Sequence, residues 1–204
     1  MDFGGLISRS VLDNTSRLKS RFNTSLPYRH VIIEDFLDEE FSRRLLAQIP
    51  DLDDERWVMG VRKNIDEEKN IFESNRYAIN DPNELSPDFV DLFTNINSNS
   101  FCNFLSSITG VKDIMPDLSW HLSGLRLMTP GSHQLIHSDS RVHPSLRNKK
   151  NQPLEKKLTM LIYMNEDWEE SDTGQCELWN DEMTQCVKSV RPTFNTCLIF
   201  ECTN

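Results

Sequence analysis

The hydrophobic pattern of this chain changes period part-way along, and that change limits the folds open to it. In the first half, apolar residues recur at helical spacing. Phe41, Leu45, Leu46 and Ile49 follow Asp38, which reads as an N-cap, and Pro50 stops the stripe. Phe89, Leu92, Phe93 and Ile96 follow Ser86-Pro87-Asp88, a cap with Pro at the first helical position. Phe101, Phe104, Leu105 and Ile108 repeat the spacing, with Gly110 where a left-handed C-terminal cap belongs. From Leu122 onward short runs separated by turn residues take over, at 125–128, 134–139, 158–165, 176–180, 187–190 and Thr196–Glu201. Thr129-Pro130-Gly131 and Asp172-Thr173-Gly174 read as turns between them. Helices first and strands afterwards predict an α+β chain in which helices support a β-sandwich or barrel.

Other segments are less patterned. His30–Ile33 is short and β-branched, which predicts a buried strand. Residues 1–27 are polar and predict a loosely attached arm with one short helix. Residues 51–80 are charged, with Trp57, Val58, Ile71 and Phe72 as isolated apolar anchors among short strands and long loops. The 204 residues suit a single domain, 28–204, with a helix-rich part to 121 and a strand-built core from 122.

Composition excludes several function classes. With 22 Lys+Arg against 32 Asp+Glu the formal net charge is −10, which argues against a nucleic-acid binder. No apolar run has the length of a membrane span, and the opening MDFGGLISRS does not read as a secretory signal. Five cysteines, an odd number without a C-x-x-C, predict reduced thiols and a cytoplasmic protein.

Metal-type ligands concentrate in Gly131-Ser-His-Gln-Leu-Ile-His-Ser-Asp-Ser140. His137 and Asp139 lie two apart on a predicted strand, so period 2 sends imidazole and carboxylate to one face. They would make two thirds of a two-His-one-carboxylate triad, which holds Fe(II) on one octahedral face. Alone, H-x-D is a weak signal, and a strand-end ion pair would look the same. His133 and His137 at i, i+4 resemble a zinc-protease helix, but Gln134 is not a base and Pro130-Gly131 opposes a helix. A zinc site built from His133, His137 and His143 is a further alternative.

The order of motifs narrows this. His137-Ser-Asp139 is followed by Leu161-Ile-Tyr-Met-Asn165, Asp167-Trp168, the Gly174-led run to Trp179, and Pro192-Thr-Phe-Asn195 before Cys197-Leu-Ile-Phe200. With Pro27-Tyr-Arg-His-Val-Ile-Ile-Glu-Asp-Phe-Leu37 this sequence closely resembles the 2-oxoglutarate and Fe(II)-dependent dioxygenases, in their prolyl-4-hydroxylase-like branch. The resemblance covers 27–204 and implies a double-stranded β-helix, a cupin-like jelly roll, behind supporting N-terminal helices. It implies Fe(II), 2-oxoglutarate and O2, and allows ascorbate as an accessory reductant. It implies hydroxylation of a C–H bond in a small-molecule or peptidyl substrate, and fixes neither the substrate nor the oligomeric state.

Residue by residue, His137 and Asp139 fall on the first two iron ligands of the family. Tyr163 falls on a tyrosine that hydrogen-bonds the distal carboxylate of 2-oxoglutarate, though a core tyrosine satisfied by backbone is an alternative. Leu161 shares its face and would line the apolar part of the pocket. Thr129 stands where some relatives place a co-substrate-touching tyrosine. The family's third ligand, a second His, and the basic residue that binds 2-oxoglutarate follow the last strand, yet no His occurs after His143. The sequence thus predicts a C-terminally truncated, poorly active oxygenase whose final strands are missing and whose last strand has a bare edge. The alternative is an inactive jelly-roll module that works by protein contact. Arg141, Arg147, Lys149, Lys150, Lys156 and Lys157 give the 140–156 insert a local basic run, either a solvated loop or a rim for an acidic substrate.

Overall fold

The computed structural model describes residues 3–59, 73–120, 122–139 and 142–202. Ser140, Arg141 and the anchors Ile71 and Phe72 lie outside the described residues.

The chain starts with α1 (Arg9–Asp13) and α2 (Thr15–Thr24). Here the structure corrects the loosely attached arm. Phe3, Leu6, Ile7, Val11, Leu18 and Phe22 are all buried in the main core. The Ser8 amide donates to the Phe36 carbonyl at 3.0 Å and the Asp38 amide to the Leu6 carbonyl at 3.0 Å. The apolar residues here are sparse among polar ones, so the segment has little local signal, and its order comes from partners distant in sequence.

β1 (His30–Ile33) follows, then α3 (Glu39–Leu46), whose predicted cap is present: the Asp38 carboxylate accepts from the Phe41 amide at 3.2 Å. β2 (Val58–Met59) and β3 (Glu73–Ile79) lead to α4 (Pro87–Ile96) and α5 (Asn99–Thr109). Ser98 caps α5, and Gly110 closes it in the left-handed region at φ 74°.

β4 (Leu125–Gln134) runs on through the turn predicted at 129–131 and ends at the first residue of the run predicted at 134–139. The turn survives as a bulge. Met128 pairs with Arg76 and His133 with Ser74, so residues 129–132 stand opposite Asn75 alone. The Ser132 hydroxyl ties the bulge to the Asn75 carbonyl at 2.9 Å. β5 (Val142–Arg147) and β6 (Pro153–Glu155) form a hairpin in the insert expected to be a loop. β7 (Leu158–Tyr163), β8 (Cys176–Trp179), β9 (Cys186–Val190) and β10 (Thr196–Glu201) complete the order.

All ladders between these strands are antiparallel, in the orders β1-β10-β7, β2-β3-β4, β5-β6 and β8-β9. Two of these sheets join the halves that the hydrophobic pattern separates, since β1 pairs with β10 and β3 with β4. The bare edge predicted for the last strand is also corrected: β10 is paired on both sides.

Alternation along the β1-β10-β7 sheet sorts its two faces. Val31, Ile33, Cys197, Ile199, Leu158, Met160 and Ile162 face the helices. Ile32, Leu198, Phe200, Leu161 and Tyr163 face the β8-β9 hairpin, where they pack with Leu178 and Val190. Across the described residues no helix is long and apolar enough to cross a membrane.

Candidate active site

His137 and Asp139 are not on a strand. β4 stops at Gln134, so the period-2 argument that paired them is corrected. They converge nevertheless, in the segment that leaves β4: His137 Nε2 lies 3.4 Å from Asp139 Oδ1. The opposite ring nitrogen, Nδ1, sits 2.7 Å from the Leu135 carbonyl. As a donor to that carbonyl, Nδ1 fixes the ring so that Nε2 is the atom turned toward Asp139.

The carboxylate is held from the other side. Asp139 Oδ2 accepts from Lys156 Nζ at 2.8 Å and from the Thr159 hydroxyl at 2.7 Å. Thr159 is on β7, and its oxygen also meets Cys202 Sγ at 3.2 Å. Hydrogen bonding from His137, then from Lys156 and Thr159, holds the Asp139 carboxyl well below the usual carboxylate range, against the opposing effect of burial. The side chains of His137, Asp139 and Lys156 are each about one fifth to one quarter exposed, at 26%, 22% and 19%.

Thr159, Leu161 and Tyr163 alternate along β7 and so share one face, the face that meets the β8-β9 hairpin. The Tyr163 hydroxyl is buried and meets no hydrogen-bond partner of good geometry among the described residues. Burial first, then the nearby Cys176 thiol, a weak partner, raise its pKa. Tyr28 looks onto the same space. Burial first, then the nearby Cys176, Cys202 and Asp139, push its phenol up to about 12.

The structure therefore brings His137 to Asp139, ties Asp139 to β7, and sets Leu161 and Tyr163 further along the same face. Thr129 is not joined to them by a hydrogen bond: it opens the β4 bulge, where its carbonyl accepts from Ser132 at 2.5 Å. His143 goes elsewhere, with Nε2 3.5 Å from Asp117 and Nδ1 accepting from the Leu146 amide at 2.9 Å. The alternative zinc site of His133, His137 and His143 is not assembled. No group of three or more His, Cys, Asp or Glu able to hold one metal ion occurs among the described residues.

Sequence reasoning missed Thr159 and Cys202, and misread Lys156. Their signal was weak: a Thr and a Cys in apolar runs read as core, and Lys156 read as one of a basic run. Its partner Asp139 is 17 residues away, and only the β5-β6 hairpin brings the two together.

Do these residues suit a divalent metal? Two cis donors of an octahedral site with bonds of about 2.1 Å lie roughly 3 Å apart. The 3.4 Å between Nε2 and Oδ1 is within a few tenths of that. The surroundings agree, with a backbone carbonyl behind the imidazole and donors on the outer carboxylate oxygen. Residues 123–204 match the sequence pattern of the 2OG-Fe(II) oxygenase superfamily. Over that span the chain is similar in sequence to those oxygenases. Its fold resembles a solved prolyl 4-hydroxylase from Phytophthora capsici, at 20% identity and a TM-score of 0.52, covering 98% of this chain and 62% of that one. The chain thus spans less than two thirds of the length of that protein. No curated protein is similar enough in sequence to count as a relative.

Proposed function

We propose that this chain is an Fe(II)- and 2-oxoglutarate-dependent dioxygenase of the prolyl-4-hydroxylase-like kind, built on a double-stranded β-helix. The observation that carries the reading is the approach of His137 Nε2 to Asp139 Oδ1 beside a strand face that ends in a buried hydroxyl, Tyr163, with only the weak Cys176 thiol near it. His137 and Asp139 would hold the iron. Bound there with 2-oxoglutarate and O2, the metal supplies oxidative decarboxylation to succinate and CO2 coupled to hydroxylation of a C–H bond.

The chain's own residues do the positioning. Nδ1 of His137, anchored on Leu135, keeps Nε2 aimed at the metal position. Lys156 and Thr159 hold Asp139 through Oδ2, and Oδ1, which faces His137 Nε2, would be the coordinating oxygen. Tyr163 offers its O–H to an incoming carboxylate, and burial keeps that phenol protonated and a donor at any ordinary pH. Leu161, Leu198 and Phe200 keep water from the space between. The substrate class, a peptidyl or small-molecule C–H donor, follows from the resemblance alone.

A second reading, a binding module without turnover, is favoured by one observation: only two ligands converge among the described residues. One experiment separates them. The 204-residue chain is loaded with Fe(II) and 2-oxoglutarate without oxygen, then exposed to oxygen, and succinate is counted against a His137→Ala control. Succinate above that control, at the low rate expected of two ligands, supports the oxygenase. No difference between the two proteins, with Fe(II) retained by neither, refutes it.

A further inference from the structure

The β5-β6 hairpin runs against the charge of the chain. From Val142 to Leu154 it holds Arg147, Lys149 and Lys150 and no acidic residue, where the whole chain has a net charge of −10. The structure sorts the cations of this insert by what they meet. Lys156 and Lys157 are taken up by Asp139 and Glu155 at the base. Arg147 lays Nη1 on the carbonyls of its own hairpin, 3.0 Å from that of Leu146 and 3.3 Å from that of His143, and keeps its charge. Lys149 and Lys150, at the tip, are exposed and form no ion pair among the described residues.

The tip is a built turn. The Asn148 amide donates to the Gln152 carbonyl at 2.8 Å, and Asn148 Oδ1 accepts from the amides of Lys150 and Gln152 at 2.9 and 3.0 Å. Asn151 completes it in the left-handed region at φ 61°. The edge of β5 offers little to a further strand, because His143 Nδ1 already accepts from the Leu146 amide at 2.9 Å and Arg147 covers the carbonyls. What the hairpin presents outward is charge on a convex tip. Such a tip does not enclose a small anion, whereas separated ammonium groups match carboxylates spaced along an extended chain. The acidic body of the chain disfavours a long polyanion, while a short acidic segment meets the tip alone, since ionic fields fade over about 8–10 Å at physiological salt.

We infer that the β5-β6 hairpin is a docking arm for an acidic, extended segment of a partner protein, which Lys149, Lys150 and Arg147 recognise by its carboxylates. The tip needs neither metal nor co-substrate for this, so docking is separate from the function proposed above.

The test is fluorescence anisotropy of a labelled Glu-Gly repeat peptide titrated with the 204-residue chain at low and at physiological salt. Two double variants make the same change in net charge: Lys149→Glu with Lys150→Glu at the tip, and Arg17→Glu with Lys19→Glu at exposed positions of α2. Each is first shown folded by circular dichroism. The unaltered chain should bind the Glu-Gly peptide, more weakly as salt rises, and should not bind its Lys-Gly counterpart. The tip variant should lose about tenfold or more in affinity and the α2 variant less than about twofold; the neutral pair Lys149→Gln with Lys150→Gln should lose about three- to tenfold. Equal losses in the two charge-reversed variants would make the attraction a property of the whole chain and overturn the assignment. Absence of binding by the unaltered chain at low salt would do the same. A single-stranded oligothymidylate that displaces the peptide at an equal concentration of charge would overturn it too, by making the tip a general polyanion site.

Discussion

Replacing Tyr163 by Phe removes one buried oxygen and almost nothing else from the pocket. In the empty chain that oxygen is a liability, since a buried hydroxyl without a good partner costs roughly 1–3 kcal/mol. Removing it should stabilise the chain by about 1–2 kcal/mol, which for a chain of this size is a rise of roughly 2–8 °C in Tm. With Mn(II) and 2-oxoglutarate present that advantage should shrink or vanish. The Tyr163 hydroxyl then donates to a carboxylate, a charge-assisted bond of about 1.5–3 kcal/mol, so Tyr163→Phe should lose tenfold or more in 2-oxoglutarate affinity. At a co-substrate concentration near 100 Kd for the unaltered chain, ligand stabilisation is about 2.7 kcal/mol, and a tenfold loss of affinity removes about half of it. The assay is thermal unfolding of both proteins, empty and loaded. An unchanged or lower Tm for the empty variant would mean that Cys176 or another group already satisfies the hydroxyl. Equal gains from 2-oxoglutarate would mean that Tyr163 does not touch it.

Three other outcomes follow from particular contacts. Asp139→Asn leaves Lys156 without its counter-charge in a largely covered position, and should cost roughly 1–3 kcal/mol in urea unfolding; a loss under about 0.5 kcal/mol would show the pair to be solvated. Asn195 is buried and bridges the halves of the chain, accepting from the Leu37 amide at 2.8 Å and donating to the Leu37 carbonyl at 2.9 Å; Asn195→Ala should cost roughly 2–4 kcal/mol by the same measurement. Burial lowers the pKa of His30, so the native state favours the neutral ring. Its contribution is present above the unfolded pKa of about 6.5 and is lost as pH falls toward the lower folded value, so Tm should drop from pH 7.5 to 5.5 by less in His30→Asn than in the unaltered chain.

The parts of the fold that were legible in sequence are those whose order is local. α4 and α5 carry aromatic stripes, a Pro at the first turn and a glycine stop, and each signal acts within one helix. The segment around α1 and α2 was not legible, because Phe3, Leu6 and Val11 are ordered by Phe36, Leu37 and the helical core rather than by their neighbours. The insert hairpin escaped for a related reason: β5 pairs irregularly with β6, matching Val142 to Glu155 and Arg147 to Pro153 with a register shift between, so no clean alternation marks it.

The site divides along the same line. His137 and Asp139 were found by a strand argument whose geometry is wrong, since the segment has left β4 before it reaches them. Their convergence is imposed instead by long-range contacts: Lys156 and Thr159 draw the carboxylate to the foot of β7, and the Leu135 carbonyl turns the imidazole. Spacing can therefore bring out two side chains that meet even where the backbone conformation is misjudged. What spacing cannot supply is the charge that surrounds them. Lys156 meets Asp139 only because a hairpin folds it back across 17 residues, and a cation drawn from that distance along the chain leaves no mark in the local pattern.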